Sequence, residues 1–366
     1  MPLVAHTPLP TFAQLEQRGQ EILSLDEAVS QDIRELHIGL LNMMPDAALR
    51  VTETQFMQLV GNSNQIAQFY VHPFSIPGLP RSPDAESYIK QHYTTFDELQ
   101  KEGLDALIIT GANVVNPLID QEAFWQPLND IVSWASENVT SVLSSCLATH
   151  AMLKYFYGID RERLPQKRWG VYTHHAMHPY HPLLRNINTR FDIIHSRNNE
   201  IRRWQFIAAG LTILIESEEA GVHMATSPDQ FRFIYMQGHP EYNTNSLLKE
   251  YKREVLRFLN GDSQEYPHHP ENYFGENAAL IADTYKDAVL LARKRGTLAP
   301  SFPETAILRY VDNTWGDTAK AIFNNWLGLV YKVTHIDRHK SFMEGVNPYD
   351  PLGMKFVNGS MTRSLY

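Results

Sequence analysis

The sequence predicts an α/β fold: a doubly wound, mostly parallel sheet with extra helices near the C-terminal end. Three observations point there. Apolar, β-branched runs alternate with amphipathic segments along most of the chain. One such run turns directly into a helix at Cys146, the corner expected at the carboxyl edge of an open sheet. With 366 residues, 43% hydrophobic and 20% charged, the chain is long and apolar enough to bury the core of a soluble enzyme.

Taken in order, residues 36–41 read as a strand and 46–60 as the helix that follows. A strand over 65–71 leads to a loop punctuated by Pro73, Pro77, Pro80 and Pro83. A helix over 85–101 enters the strand 106–110, whose Gly111-Ala-Asn113 turn is a candidate substrate-facing loop. Phe124, Trp125, Leu128, Ile131, Val132 and Trp134 give 121–138 the stripe of an amphipathic helix. The run 139–145 is a strand, and 147–157 a helix closed by Gly158. Residues 160–167 read as a polar, basic connector. Three shorter, partly antiparallel strands follow over 193–197, 211–215 and 221–226. The strand 231–236 ends in Gln237-Gly-His-Pro-Glu241. A helix over 243–260 has Asn243 or Asn245 as its cap and Gly261 as its stop. Residues 262–275 are rich in turns, helices cover 277–295 and 317–333, and the tail after Pro348 reads as loosely ordered. There is no internal repeat or low-complexity tract. This divides the chain into an N-terminal extension (1–35), a catalytic domain (36–275), a helical insertion (276–312) and a C-terminal helix with tail (313–366).

Charge and cysteine usage exclude several functions. A net charge of −9 without a basic stripe argues against nucleic-acid binding. No run is long enough to span a membrane and the N-terminus lacks a signal pattern, so a reducing cytoplasm is the expected compartment. The single cysteine excludes an internal disulfide and any multi-cysteine zinc site. The 16 histidines are scattered, and the group His174, His175 and His178 lacks an obvious carboxylate or cysteine partner, so no metal is expected.

Two features end apolar strands: Cys146 after one, His239 and Glu241 after another. Alone, a lone cysteine reads as an inert core residue and His-Pro-Glu as a turn. Together, if both strands are parallel members of one sheet, they bring a nucleophile, a base and a residue that orients the base to one edge. First-turn amides and the positive helix end beside Cys146 favour negative charge there, on a thiolate or an oxyanion.

Further stretches carry a resemblance: Leu41-Asn-Met-Met-Pro45, Thr52-Glu-Thr-Gln55, Ile109-Thr-Gly-Ala112, Gly170-Val-Tyr172 with His174-His175, His195-Ser-Arg197, Gly238-His-Pro-Glu-Tyr242 and Asn272-Tyr-Phe274. In these the chain resembles the homoserine O-acyltransferases of methionine biosynthesis built on a class I glutamine-amidotransferase-like, flavodoxin-like fold. The resemblance implies transfer of an acyl group from acetyl-CoA or succinyl-CoA to L-homoserine by a ping-pong route, without a further cofactor, in a homodimer. It implies Cys146 as nucleophile, His239 as base, Glu241 as its orienter and the Leu147 amide in the oxyanion hole. It further implies Arg253 on the substrate carboxylate, Ser196 on the amino acid and Lys167 near the acyl donor.

Three departures stand out. The lysines that follow Met-Pro in the family are replaced by a longer segment, Met44-Pro-Asp-Ala-Ala-Leu-Arg50, whose only cation is Arg50. The position associated with acyl choice is Val115, neither glycine nor glutamate; a β-branched side chain there is expected to narrow the pocket toward a small acyl group. Residues 276–312 and the tail are additional. A serine acyltransferase, a glutamine amidotransferase and a non-catalytic binding protein on the same fold remain alternatives. The flanks Ser144, Ser145, Leu147 and Ala148 lack the glycines an amidotransferase elbow normally carries.

Overall fold

The computed structural model describes residues 3–64, 66–340, 344–357 and 360–363. Its centre is an eleven-stranded sheet ordered β2-β1-β4-β3-β5-β6-β11-β10-β9-β7-β8. The strands are β1 (Leu3–Ala5), β2 (Ile22–Ser24), β3 (Glu35–Leu41), β4 (Gln68–Phe74), β5 (Ala106–Ile109) and β6 (Ser141–Ser145). They continue as β7 (Glu162–Ala176), β8 (Arg190–Glu200), β9 (Thr212–Ser217), β10 (Gly221–Thr226) and β11 (Phe233–Met236). From β2 to β11 every neighbouring pair is parallel; from β11 to β8 every pair is antiparallel. The central strands β3, β5 and β6 are buried almost throughout, as strands covered on both faces must be.

Two apolar cores lie on the two faces of the sheet. One packs the helices Asp46–Ser63 and Gly316–Val333, the other Trp125–Asn138 and Leu147–Tyr157. A third joins Ser246–Leu259 to Glu276–Arg295. Among the described residues no helix is long and apolar enough to cross a membrane.

Several boundaries differ from the sequence reading. Residues 160–167 are not a connector: β7 starts at Glu162, with a register shift between Arg163 and Arg168 that explains the missing alternation. The helix expected over 85–101 is two helices, Pro83–His92 and Phe96–Glu102, because Thr95 and Glu98 form a capping box that restarts the chain. The strand expected from residue 65 begins at Gln68; Gln65 itself lies outside the described residues. In the tail, Met354–Val357 pairs with Ser360–Arg363 as an antiparallel hairpin, while residues 358–359 and 364–366 lie outside the described residues. The three-residue strands β1 and β2, too short to show alternation, add the N-terminal residues to the sheet edge beside β4.

Candidate active site

Strands β6 and β11 pair in parallel, with Ser145 opposite Met236. The next residue after Ser145 is Cys146, whose amide donates to the Met236 carbonyl at 2.8 Å. Its backbone sits at φ 53°, ψ −113°, outside the region ordinary for a non-glycine residue, and this sharp corner presents the half-buried thiol above the sheet edge. Helix Leu147–Tyr157 starts immediately, so the Leu147 amide belongs to the first turn, where no intrahelical acceptor exists. Gly111, two residues past the end of β5, lies against this corner, with room for a side-chain carbon at ordinary contact distance. A methyl there would lie 3.7 Å from Cys146 Cβ and 3.8 Å from the Leu147 nitrogen.

On the neighbouring strand, Gly238 leads into His239, whose amide is held by the Ile194 carbonyl at 2.9 Å. The imidazole is buried and its Nδ1 lies 2.8 Å from Glu241 Oε1. Nε2 is buried without an oxygen or nitrogen partner among the described residues. Burial pulls the His239 pKa down most strongly, but the charge of Cys146, the charge of Glu241 and hydrogen bonds to both raise it well above the ordinary value. Cys146, His239 and Glu241 therefore act on one another electrostatically. Behind them His195 and His174 approach at 3.1 Å, and burial, reinforced by Arg197, holds both below the ordinary histidine value and hence neutral.

The sequence does not reveal the support under His239. The Tyr242 ring stacks on His239 with centroids 4.3 Å apart, and its hydroxyl donates to Glu250 Oε1 at 2.7 Å. Glu250 also accepts from Ser196 Oγ at 2.7 Å and from Lys167 Nζ at 3.0 Å, so Ser196 and Lys167 meet on one carboxylate. Burial pushes the Glu250 pKa up; Lys167, Ser196 and Tyr242 outweigh that and hold it below the ordinary 4.5. In the sequence Tyr242 stands out only as the last residue of Gly238-His-Pro-Glu-Tyr242, and Glu250 sits in a charged helical run that reads as solvated.

A cleft of about 1130 Å³ opens beside His239, Glu241 and Gly111. Arg253 lines it, with its side chain exposed and its Nε on Glu254 at 3.2 Å. Arg50 lines it too, over the Tyr88 ring at 4.1 Å. Val115 does not: it is 88% exposed, and its amide donates to Glu122 at 2.7 Å, which turns this loop outward. The narrowing expected from Val115 therefore has no counterpart in the cleft lining. Among the described residues no group of three or more His, Cys, Asp or Glu is arranged to hold a metal ion.

A family profile described as homoserine O-succinyltransferase matches residues 2–336. The protein so named from Methylococcus capsulatus is 57% identical over 354 residues, covering 97% of this chain and 100% of its own. Its namesake from Nitrosococcus oceani is 56% identical over 355 residues, covering 97% and 99%. A solved glutamine amidotransferase from Methylobacillus flagellatus superposes with a TM-score of 0.43 at 13% identity, covering 81% of this chain and 95% of that one. On the profile match and these full-length identities, the chain belongs to the homoserine O-succinyltransferase family.

Proposed function

We propose that this chain transfers a succinyl group from succinyl-CoA to the hydroxyl of L-homoserine, the first committed step of methionine biosynthesis, with Cys146 carrying the group between them. The proposal includes a homodimer, no cofactor beyond the CoA co-substrate, and the cytoplasm as compartment. The observation that carries it is the alignment of Cys146 with a His239–Glu241 pair on adjacent parallel strands. The names of the full-length relatives support homoserine as acceptor and succinyl as acyl group.

In the first half-reaction the Cys146 thiolate attacks the thioester carbon and the C–S bond to CoA breaks. The proton on His239 passes to the departing CoA sulfur. In the second, neutral His239 takes the proton of the homoserine hydroxyl as its oxygen attacks the acyl-enzyme. Cys146 then leaves as the thiolate, and the starting ion pair is restored. The Leu147 amide faces each developing oxyanion.

The forces on His239 suit this alternation. The charge of Cys146 heads the causes that raise its pKa. Acylation removes that charge and leaves burial, the largest lowering cause, opposed only by Glu241. The imidazole thus holds a proton less tightly at the step where it must start neutral. Loss of the proton-donating form makes acylation decline as pH rises through the raised value. Deacylation, which needs neutral imidazole, declines instead as pH falls through a lower one. Separate pH profiles for CoA release and for homoserine acylation test this; a shared midpoint would refute the switch.

The test of the function is intact-protein mass spectrometry after brief exposure to succinyl-CoA or acetyl-CoA, followed by a chase with homoserine or serine. A succinyl adduct on Cys146, removed by homoserine, is the expected result, and Cys146→Ser should lower turnover by at least about 10³-fold. Absence of any adduct, or its removal by serine alone, would overturn the reading.

A further inference from the structure

The cleft beside His239 is larger than an amino acid needs, and its wall runs against the charge of the whole protein. In a chain of net charge −9, Arg18, Arg50, Lys249 and Lys320 all line it. They come from four separate helical regions: the end of Pro10–Gln17, then Asp46–Ser63, Ser246–Leu259 and Gly316–Val333. All four are exposed. Among the described residues Arg18, Arg50 and Lys249 have no ion-pair partner, and Lys320 only reaches the fully exposed Asp317 at 3.4 Å. The acidic groups deeper in the cleft do not neutralise them, because Glu241 is bound to His239 and Glu250 to Ser196, Tyr242 and Lys167. Three cations without a carboxylate partner, and a fourth held only by an exposed surface pair that solvent screens, make this cavity wall a seat for phosphate groups.

Building on the acyl-CoA reading, we propose that Arg18, Arg50, Lys249 and Lys320 bind the 3′-phosphoadenosine diphosphate end of the CoA donor, leaving its thioester to reach Cys146 past Gly111. The cleft volume of about 1130 Å³ accommodates a donor of that size, whereas typical small-molecule pockets span roughly 300–1,000 Å³. Arg18 precedes the catalytic core in sequence and Lys320 follows it, so segments outside the triad region supply part of the donor site.

The experiment compares succinyl-CoA with S-succinyl-pantetheine, a thioester lacking the nucleotide and its phosphates, in the wild-type chain, in Arg18→Gln/Lys320→Gln and in Lys249→Gln. With succinyl-CoA the double variant should lose about tenfold or more in kcat/KM, the loss shrinking as salt rises. With succinyl-pantetheine its ratio to wild type should stay within about twofold, and the KM for homoserine should not move. Adenosine 3′,5′-bisphosphate should compete with succinyl-CoA in the wild type and compete more weakly in the variants. Equal losses with both donors, or no loss with either, would overturn the assignment while leaving the acyl transfer intact. A wild-type chain that accepts neither thioester would instead overturn the acyltransferase reading itself.

Discussion

Glu250 shows how much of a site a single side chain can organise. Its three donors come from positions 8, 54 and 83 residues earlier in the chain, and only the folded sheet brings them together. One of them, Tyr242, stacks against the His239 imidazole. Tyr242→Phe keeps the stack but releases the hydroxyl, so kcat should fall several-fold with little change in the KM for homoserine. A KM effect alone would make Tyr242 a substrate contact instead. Glu250→Gln should destabilise the fold by about 2 kcal/mol at neutral pH, because the buried acceptor of a charged donor is weakened. The sign follows from its lowered pKa: the ionised form stabilises the folded chain above the ordinary 4.5, and that contribution disappears as pH falls through the folded value. Urea titrations at neutral and acidic pH should show the gap between Glu250→Gln and wild type closing in acid. At this scale Cys146, His239 and Glu241 were legible because each ends a recognisable apolar strand. Glu250 was not, since in Lys249-Glu-Tyr-Lys-Arg253 it looks like one more charge on a solvated helix face.

Among the elements, the pairing of β6 with β11 does the positioning, and the short Gln237-Gly238 link transmits it. A methyl on Gly238 would lie 2.8 Å from both His223 Nδ1 and the Ile194 carbonyl. Because both neighbours are fixed in the sheet core, Gly238→Ala should push His239 off its alignment, costing about 1–3 kcal/mol of stability and lowering kcat. Denaturant unfolding together with steady-state kinetics checks both; an unchanged kcat would mean the shift is absorbed elsewhere. The buried strands and the helix Leu147–Tyr157 were legible from apolar runs and a glycine stop. The beginning of β7 was not, because an irregular, half-exposed strand carries no period of two. The outward course of the loop bearing Val115 is not legible in the sequence either. Sequence distance from Gly111 places it near the site, but Glu122 accepts the amides of Val115 and Asn116 at 2.7 Å each and draws the loop away.

Across the whole molecule, the helix Gly316–Val333 ties the C-terminal region to the sheet. Trp326 is fully buried in the core, and its Nε1 donates to Ser141 Oγ on β6 at 2.9 Å. Trp326→Ala should cost about 3–5 kcal/mol, read as a lower urea midpoint with an unchanged slope. The same helix supplies Lys320 to the cleft, and the stretch Pro10–Gln17 near the other end supplies Gln14. During synthesis, a ribosome that has passed Glu241 has already made Cys146, His239 and Glu241, yet the wall containing Lys320 does not exist until almost eighty further residues have emerged. An unfinished chain therefore holds Cys146, His239 and Glu241 before the far wall of their cleft exists, and that enclosure is completed only late in translation, as the last large helix docks.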